Sequence, residues 1–234
     1  MKVSIITAVY NRAATIGHTL ESLNAQDYPH IEHIIIDGAS TDKTLEVIEA
    51  KKAKGTIVLS EPDKGVFEAL NKGLKLATGD IIGFLHSDDF YVNNRIISEV
   101  VNALQKNEVD AVFGDVVFVA NHDLKKIVRY YSSKEFHPDQ FQSGYMPAHP
   151  TFFTKRTFYE QFGNFKTDYV IASDFELLIR FLYVHRLSYH YIDQLMIYMR
   201  TGGLSNATVK SRYILNKEII KACRENGIKT NSFK

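Results

Sequence analysis

The sequence predicts an α/β protein with a mostly parallel sheet, and three observations carry that reading. Strand-like and helix-periodic segments alternate through roughly the first hundred residues, the pattern of parallel strands joined by right-handed crossovers. The run Ile31–Ile36 is almost unalternated, as in a strand covered on both faces. The first four apolar runs each end in polar residues, and in open α/β sheets ligands sit outside the carboxyl ends of the strands.

Taken in order, Val3–Val9 reads as the first strand, and Ala13–Ala25 follows with helical spacing of Ile16, Leu20 and Leu23. Pro29 breaks the chain before the second strand. Gly38–Asp42 turns it, and Ser40, Thr41 or Asp42 can cap a helix running to about Ala53. Ile57–Leu59 is a third strand. The next helix starts near Gly65, with Gly79 expected just past its end. Asp80–Leu85 is a fourth strand, and Val92–Gln105 a helix with an apolar face of Ile96, Ile97, Val100, Val101 and Leu104.

After that the pattern changes. Ala111–Val119 and Lys125–Tyr131 flank a polar break and read as a hairpin. His149–Thr154 reads as a strand, Phe175–Tyr183 as a helix, Tyr189–Met199 as a strand, and Ala207–Glu225 as a helix closed by Asn226-Gly227. No linker rich in Pro, Gly or Ser divides the chain, so a single compact domain is expected.

Composition bounds the function. The 234 residues are 45% hydrophobic and 24% charged, with a formal net charge of +1. That is an ordinary globular balance with no electrostatic case for nucleic-acid binding. Cys223 is the only cysteine, which excludes an internal disulfide and a Cys-based zinc site and suits a reducing compartment. The apolar start of the chain is too short for a secretory core, and no run approaches the roughly 20 apolar residues of a bilayer span. A cytoplasmic location is therefore expected.

The polar strand ends are Tyr10-Asn11-Arg12, Asp37-Gly38, Glu61-Pro62-Asp63-Lys64-Gly65 and His86-Ser87-Asp88-Asp89. Four such endings on one rim suggest a ligand site. Adjacent carboxylates tolerate each other if a hard divalent cation such as Mg²⁺ or Mn²⁺ neutralises them, and one or two suffice when substrate phosphates complete the shell. A turn whose Asp residues cap the next helix explains the same spacing, and spacing alone leaves both readings open.

The motifs VSIITAVYNR, IIIDGASTDKT and EPDKGVFEALNKGLKLATGDIIGFLHSDD, followed by ASDFELLIR and YMRTGGLSN, resemble in order the inverting family 2 glycosyltransferases of GT-A fold, and among them the bacterial enzymes that build surface polysaccharides. The resemblance covers nearly the whole chain. It implies a Rossmann-like nucleotide-sugar half, 1–106, and a mixed α+β acceptor-side half, 107–234. Val9, Tyr10 and Arg12 lie where the family's first loop holds the nucleoside. Asp37 matches the carboxylate on the base, and Asp63 lies beside that pocket. Asp88 and Asp89 match the metal and ribose-diphosphate motif, with Asp89 as the leading ligand for Mn²⁺ or Mg²⁺ and His86 as a further candidate. Asp174 matches the general base. Arg200, before Thr201-Gly202-Gly203, lies where the family places a loop that closes over donor and acceptor. The implied partners are a nucleoside diphosphate sugar and a saccharide or lipid-linked saccharide acceptor, the latter drawing the protein to the inner face of a membrane.

Each residue also has a plainer reading. Asp37 can form a turn, Tyr10 can pack, Asp174 can cap the helix from Phe175, and Arg200 can be a surface charge. His149-Pro150 can shape a strand entry. Tyr130-Tyr131 and Phe152-Phe153 are either sugar platforms or core. The segment Tyr213–Ile220 is either a packed helix or a membrane-touching one. Two departures from the family stand out: His86 replaces a common Asp, and Leu70 a common Arg. Asp37 suits the imide of uracil, though guanine and thymine offer an N–H as well. The rival readings are a non-catalytic nucleotide-sugar or glycan-binding domain and a sugar-phosphate nucleotidyltransferase. The latter should carry a Gly-rich loop after its first strand, whereas here no glycine appears before Gly17.

Overall fold

A computed structural model of the protein describes residues 1–202 and 209–230. The predicted alternation is present: β1 (Val3–Val9), α1 (Ile16–Asn24), β2 (Ile31–Asp37), α2 (Thr44–Lys51), β3 (Ile57–Ser60), α3 (Val66–Leu76) and β4 (Ile81–Phe84). These four strands are parallel in the order β3-β2-β1-β4. Strands β1 and β4 are buried throughout, and they carry Ile, Val and Phe because helices cover both faces. The chain runs outward from β1 to β2 and β3, then returns to place β4 on the other side of β1. That reversal opens a crevice between the carboxyl ends of β1 and β4.

The second half of the chain extends the same sheet. It supplies β6 (Ala111–Ala120), β7 (Asp123–Tyr131), β8 (Phe153–Lys155) and β9 (Tyr189–Arg200). Strand β8 inserts antiparallel between β4 and β6, and β9 runs parallel to β6. The two-residue strand β5 (Phe90–Tyr91) pairs with the end of β9. The result is a single compact α/β domain on one mixed sheet, with nine strands among the described residues.

Several boundaries differ from expectation. The helix expected from Val92 is α4 (Ile96–Asn107), because β5 and a turn come first. In that turn Asn93 Oδ1 accepts from the Arg95 amide at 2.7 Å. His149–Thr151 form a 3-10 turn ahead of β8 rather than a strand. Gly79 does not close α3. A side chain there would meet Ser4 N at 2.7 Å and Lys2 O at 2.9 Å, so it marks a close approach to β1. Helix α5 (Arg156–Phe162) was not expected. The helix expected at Phe175–Tyr183 begins earlier, as α6 (Ser173–Leu178), and continues as a π-helical segment, Ile179–Val184. Helix α7 (Val209–Glu225) packs on α6. Of the aromatic pairs, Phe153 is core, Phe152 borders a cavity, Tyr131 stacks on Tyr145, and Tyr130 is exposed.

Candidate active site

A cavity of about 440 Å³ opens at the carboxyl ends of β1 and β4. The loop after β1 brings Val9, Tyr10 and Arg12 to it. Its shape follows from Asn11, which takes a left-handed φ of 52°, a conformation Asn tolerates well. Asn11 Oδ1 accepts from the Thr41 amide at 2.9 Å, and its own amide donates to Ser40 Oγ at 2.8 Å. The Arg12 amide donates to Thr44 Oγ1 at 2.7 Å. The loops after β1 and β2 are thereby stitched together, leaving Tyr10 57% exposed.

Asp37 ends β2 and is fully buried. Its Oδ2 accepts from the Ser40 amide at 3.0 Å and Ser60 Oγ at 2.7 Å, while Oδ1 has no hydrogen-bond partner. Asp37 lies beside the cavity rather than in its lining. The neighbouring Gly38 bridges the gap: a Cβ there would stand 2.7 Å from Asp63 Oδ2, and both Asp63 and Tyr10 line the cavity.

The stretch after β4 supplies His86, Asp88 and Asp89. It is a turn, with the Asp89 amide donating to His86 O at 3.1 Å. Thr19 of α1 pins it by donating to Asp89 O at 2.8 Å. Asp89 is buried, and its Oδ2 lacks a partner. Burial, and then the neighbouring charge of Asp88, push its carboxyl well above the usual range, against the Arg200 main-chain N–H and guanidinium.

Arg200 is the last residue of β9 rather than part of a free loop. Its guanidinium meets His18 Nδ1 at 2.9 Å and lies 5.5 Å from the Phe90 ring centre. Gly203, expected to serve the closing loop, lies outside the described residues.

The opposite wall comes from the second half of the chain. Because β8 is antiparallel to β4, the residues preceding β8 lie at the carboxyl end of β4. This sets the His149 and His86 ring centres 5.4 Å apart, edge to face. His149 Nδ1 stands 3.2 Å from Asp174 Oδ2. Asp174 lies in the first turn of α6 and is not its N-cap, which is Ala172. The Asp174 side chain keeps 19% of its surface exposed. Desolvation raises its pKa to about 6, opposed by the Phe175 amide, which donates to Oδ1 at 2.8 Å. Desolvation lowers the pKa of both His149 and His86 to about 4. At neutral pH the His149–Asp174 contact therefore joins a neutral ring to a carboxylate and is not an ion pair.

The donor set for a metal is small. Among the described residues no group of three or more His, Cys, Asp or Glu is arranged to hold an ion, so His86 does not complete a set with Asp88 and Asp89. Two carboxylates, one with an unpartnered buried oxygen, fit a cation whose shell substrate phosphates complete, as Mg²⁺ prefers. Sequence reasoning missed the apolar wall of Phe67, Leu70, Phe84, Tyr159, Phe165 and Leu177. It includes Tyr159, whose buried hydroxyl has no partner. The contact of His149 with Asp174 was also not legible, because it is made across the sheet.

The chain is similar to known proteins in sequence and in fold. An uncharacterized glycosyltransferase of Mycobacterium tuberculosis is 30% identical over 181 residues, covering 76% of this chain and 68% of that one. The Escherichia coli UDP-Glc:alpha-D-GlcNAc-diphosphoundecaprenol beta-1,3-glucosyltransferase WfaP is 41% identical over 99 residues, covering 42% of this chain and 39% of its own. Residues 1–349 of Staphylococcus aureus TarS, solved with UDP-GlcNAc, superpose with a TM-score of 0.73 at 20% identity over 98% of this chain and 68% of that one. The chain spans 39% of the longer TarS structure. The mannosyltransferase PcManGT of Pyrobaculum calidifontis, solved with GDP-Man and Mn²⁺, gives 0.69 at 18% identity over 99% of this chain and 66% of that one. At these identities the structures establish the GT-A fold alone. Residues 4–177 match the family described as Glycosyl transferase family 2, nearly three quarters of the chain, and the protein belongs to that family of glycosyltransferases.

Proposed function

We propose that the protein transfers a sugar from a nucleoside diphosphate sugar to a hydroxyl of a saccharide or lipid-linked saccharide, with inversion. One observation carries the reading. A single cavity is lined by the loop after β1, by the Asp88-Asp89 turn and by Asp174, whose pKa is raised to about 6. A base poised near the working pH suits proton abstraction from an attacking hydroxyl.

Val9, Tyr10, Arg12 and Asp63 hold the nucleoside. The Oδ1 of Asp37, buried and unpartnered beside the cavity, would accept a base N–H once donor binding uncovers it, and among the bases that carry one uracil is preferred. TarS, solved with UDP-GlcNAc, and WfaP, named for UDP-Glc, support the same preference. The WfaP name also supports a lipid-diphosphate acceptor, and with it a place at the inner face of a membrane. Asp88 and Asp89 would hold a divalent cation, Mn²⁺ or Mg²⁺, which neutralises the departing diphosphate. Arg200 adds a buried positive charge on the donor side. Asp174 accepts the acceptor hydroxyl's proton as the oxygen attacks the anomeric carbon and the diphosphate leaves from the opposite face. The apolar wall excludes water from that carbon.

Asp174→Asn tests this reading. Transfer should fall by about 10²–10⁴ while nucleotide binding by calorimetry is kept. Wild-type transfer by the variant would remove the base assignment.

A further inference from the structure

Helix α7 turns an apolar face to the core, made by Leu215, Ile219, Ala222 and Cys223. One carboxylate interrupts that face. Glu218 is 8% exposed, and three consecutive amides donate to it. Val170 N lies 2.7 Å from Oε1, and Ile171 N and Ala172 N lie 2.8 and 2.9 Å from Oε2. Hydrogen bonds to a charged acceptor are roughly twice as strong as neutral ones. Three of them on successive residues fix the path of the main chain.

That path leads directly into the site. Val170 and Ile171 border the cavity, Ala172 caps α6, and Asp174 follows in the first turn. The segment 170–172 has no helix or strand to order it, so Glu218 supplies the acceptors its amides need. Docking of α7 as such rests on other contacts. Glu225 accepts from Lys166 Nζ at 2.9 Å and Tyr169 Oη at 2.8 Å, and Lys221 pairs with Asp168 at 2.5 Å.

We infer that Glu218 is a positioning residue, which aims the Asp174 carboxylate at the acceptor by holding the main chain of Val170–Ala172. This rests on Asp174 being the base. A misplacement on the order of 1 Å at the reacting groups can cost about 10²-fold in rate.

The test compares Glu218→Gln, Glu225→Gln and Asp174→Asn in the full chain, measuring kcat, donor KM, UDP binding and thermal midpoint. A glutamine in place of Glu218 turns an NH₂ toward at least one of the three amides. Glu218→Gln should lower kcat by about 10- to 100-fold and leave donor KM and UDP binding within about twofold. Glu225→Gln, which loosens the same helix without touching 170–172, should keep kcat within about twofold. Should Glu218→Gln not fold, Glu218→Asp, with its charge kept one methylene short, is measured in its place and should show the same loss confined to kcat. Wild-type kcat in the Glu218 variant overturns the inference. So does an equal loss in Glu225→Gln, or a loss shared between kcat and UDP binding. Wild-type kcat in Asp174→Asn overturns the base assignment and the inference with it. That failure is separately recognisable, because it appears with Glu218 intact.

Discussion

Asp174 has the properties that proton abstraction asks of it. It is ionised at neutral pH, and burial holds its pKa at about 6. Its contact, His149, is neutral above about pH 4 and so does not change charge in the same window. In the proposed role of base, Asp174 acts in its ionised form, so activity is lost on acidification. The transfer rate should fall about tenfold per pH unit below about pH 6, read from a kcat/KM profile. A profile flat to pH 5 would exclude Asp174 as the base. The motif drew attention to Asp174, and the structure sets that residue in the cavity lining. For Glu218 the only signal in sequence is a carboxylate on the apolar face of a helix, and its amide partners lie 46 to 48 residues away. In sequence His149 reads only as a strand-entry residue, because its proximity to Asp174 depends on β8 pairing with β4.

Individual elements show what sequence can and cannot resolve. Strands β1, β2 and β4 were readable because short runs rich in Ile and Val, with few polar interruptions, have few alternatives. Strand β5 was not, since two residues carry no periodicity and Phe90-Tyr91 is a strand only because β9 lies beside it. Glycines were ambiguous for a related reason, since a turn and a close approach leave the same letter. The two cases make different predictions. At Gly79 an added methyl meets main-chain atoms of Lys2 and Ser4 at the start of β1, which cannot yield. Gly79→Ala should cost about 1–3 kcal/mol of stability, seen as a lowered unfolding midpoint. At Gly38 the methyl meets the Asp63 carboxylate and the Tyr10 ring, both of which can move. Gly38→Ala should leave the midpoint within a few degrees and raise the donor KM, because the displaced residues line the cavity proposed to hold the nucleotide. An unchanged KM would separate Gly38 from donor binding.

The whole molecule is one sheet assembled from both halves of the chain, and its strand order was not readable because it is set by pairings far apart in sequence. It also buries polar groups whose protonation affects stability. His33 on β2 is 6% exposed, and burial lowers its pKa to about 4 from 6.5. The unfolded chain takes up a proton through pH 6.5 that the folded chain refuses until about 4. His33 therefore destabilises the fold progressively as pH falls through that interval, by up to about 1.4 kcal/mol per pH unit, and has no such effect above it. Asp174 and Asp89, with raised values, act in the opposite sense on acidification. The clean readout is the variant: His33→Gln should lose less stability between pH 7 and 5 than the wild type, by up to about 2 kcal/mol. Equal losses in denaturant melts would contradict this.

The most direct measurement is calorimetric titration of UDP, GDP, dTDP and CDP, each with Mn²⁺, with Mg²⁺ and with chelator, into the wild type and Asp89→Asn. One nucleotide, UDP, should bind with a dependence on the cation, and Asp89→Asn should weaken it. Binding that ignores the cation would leave a nucleotide site without a metal. No binding of any nucleotide under any of these conditions would contradict the assignment of this cavity as a donor site.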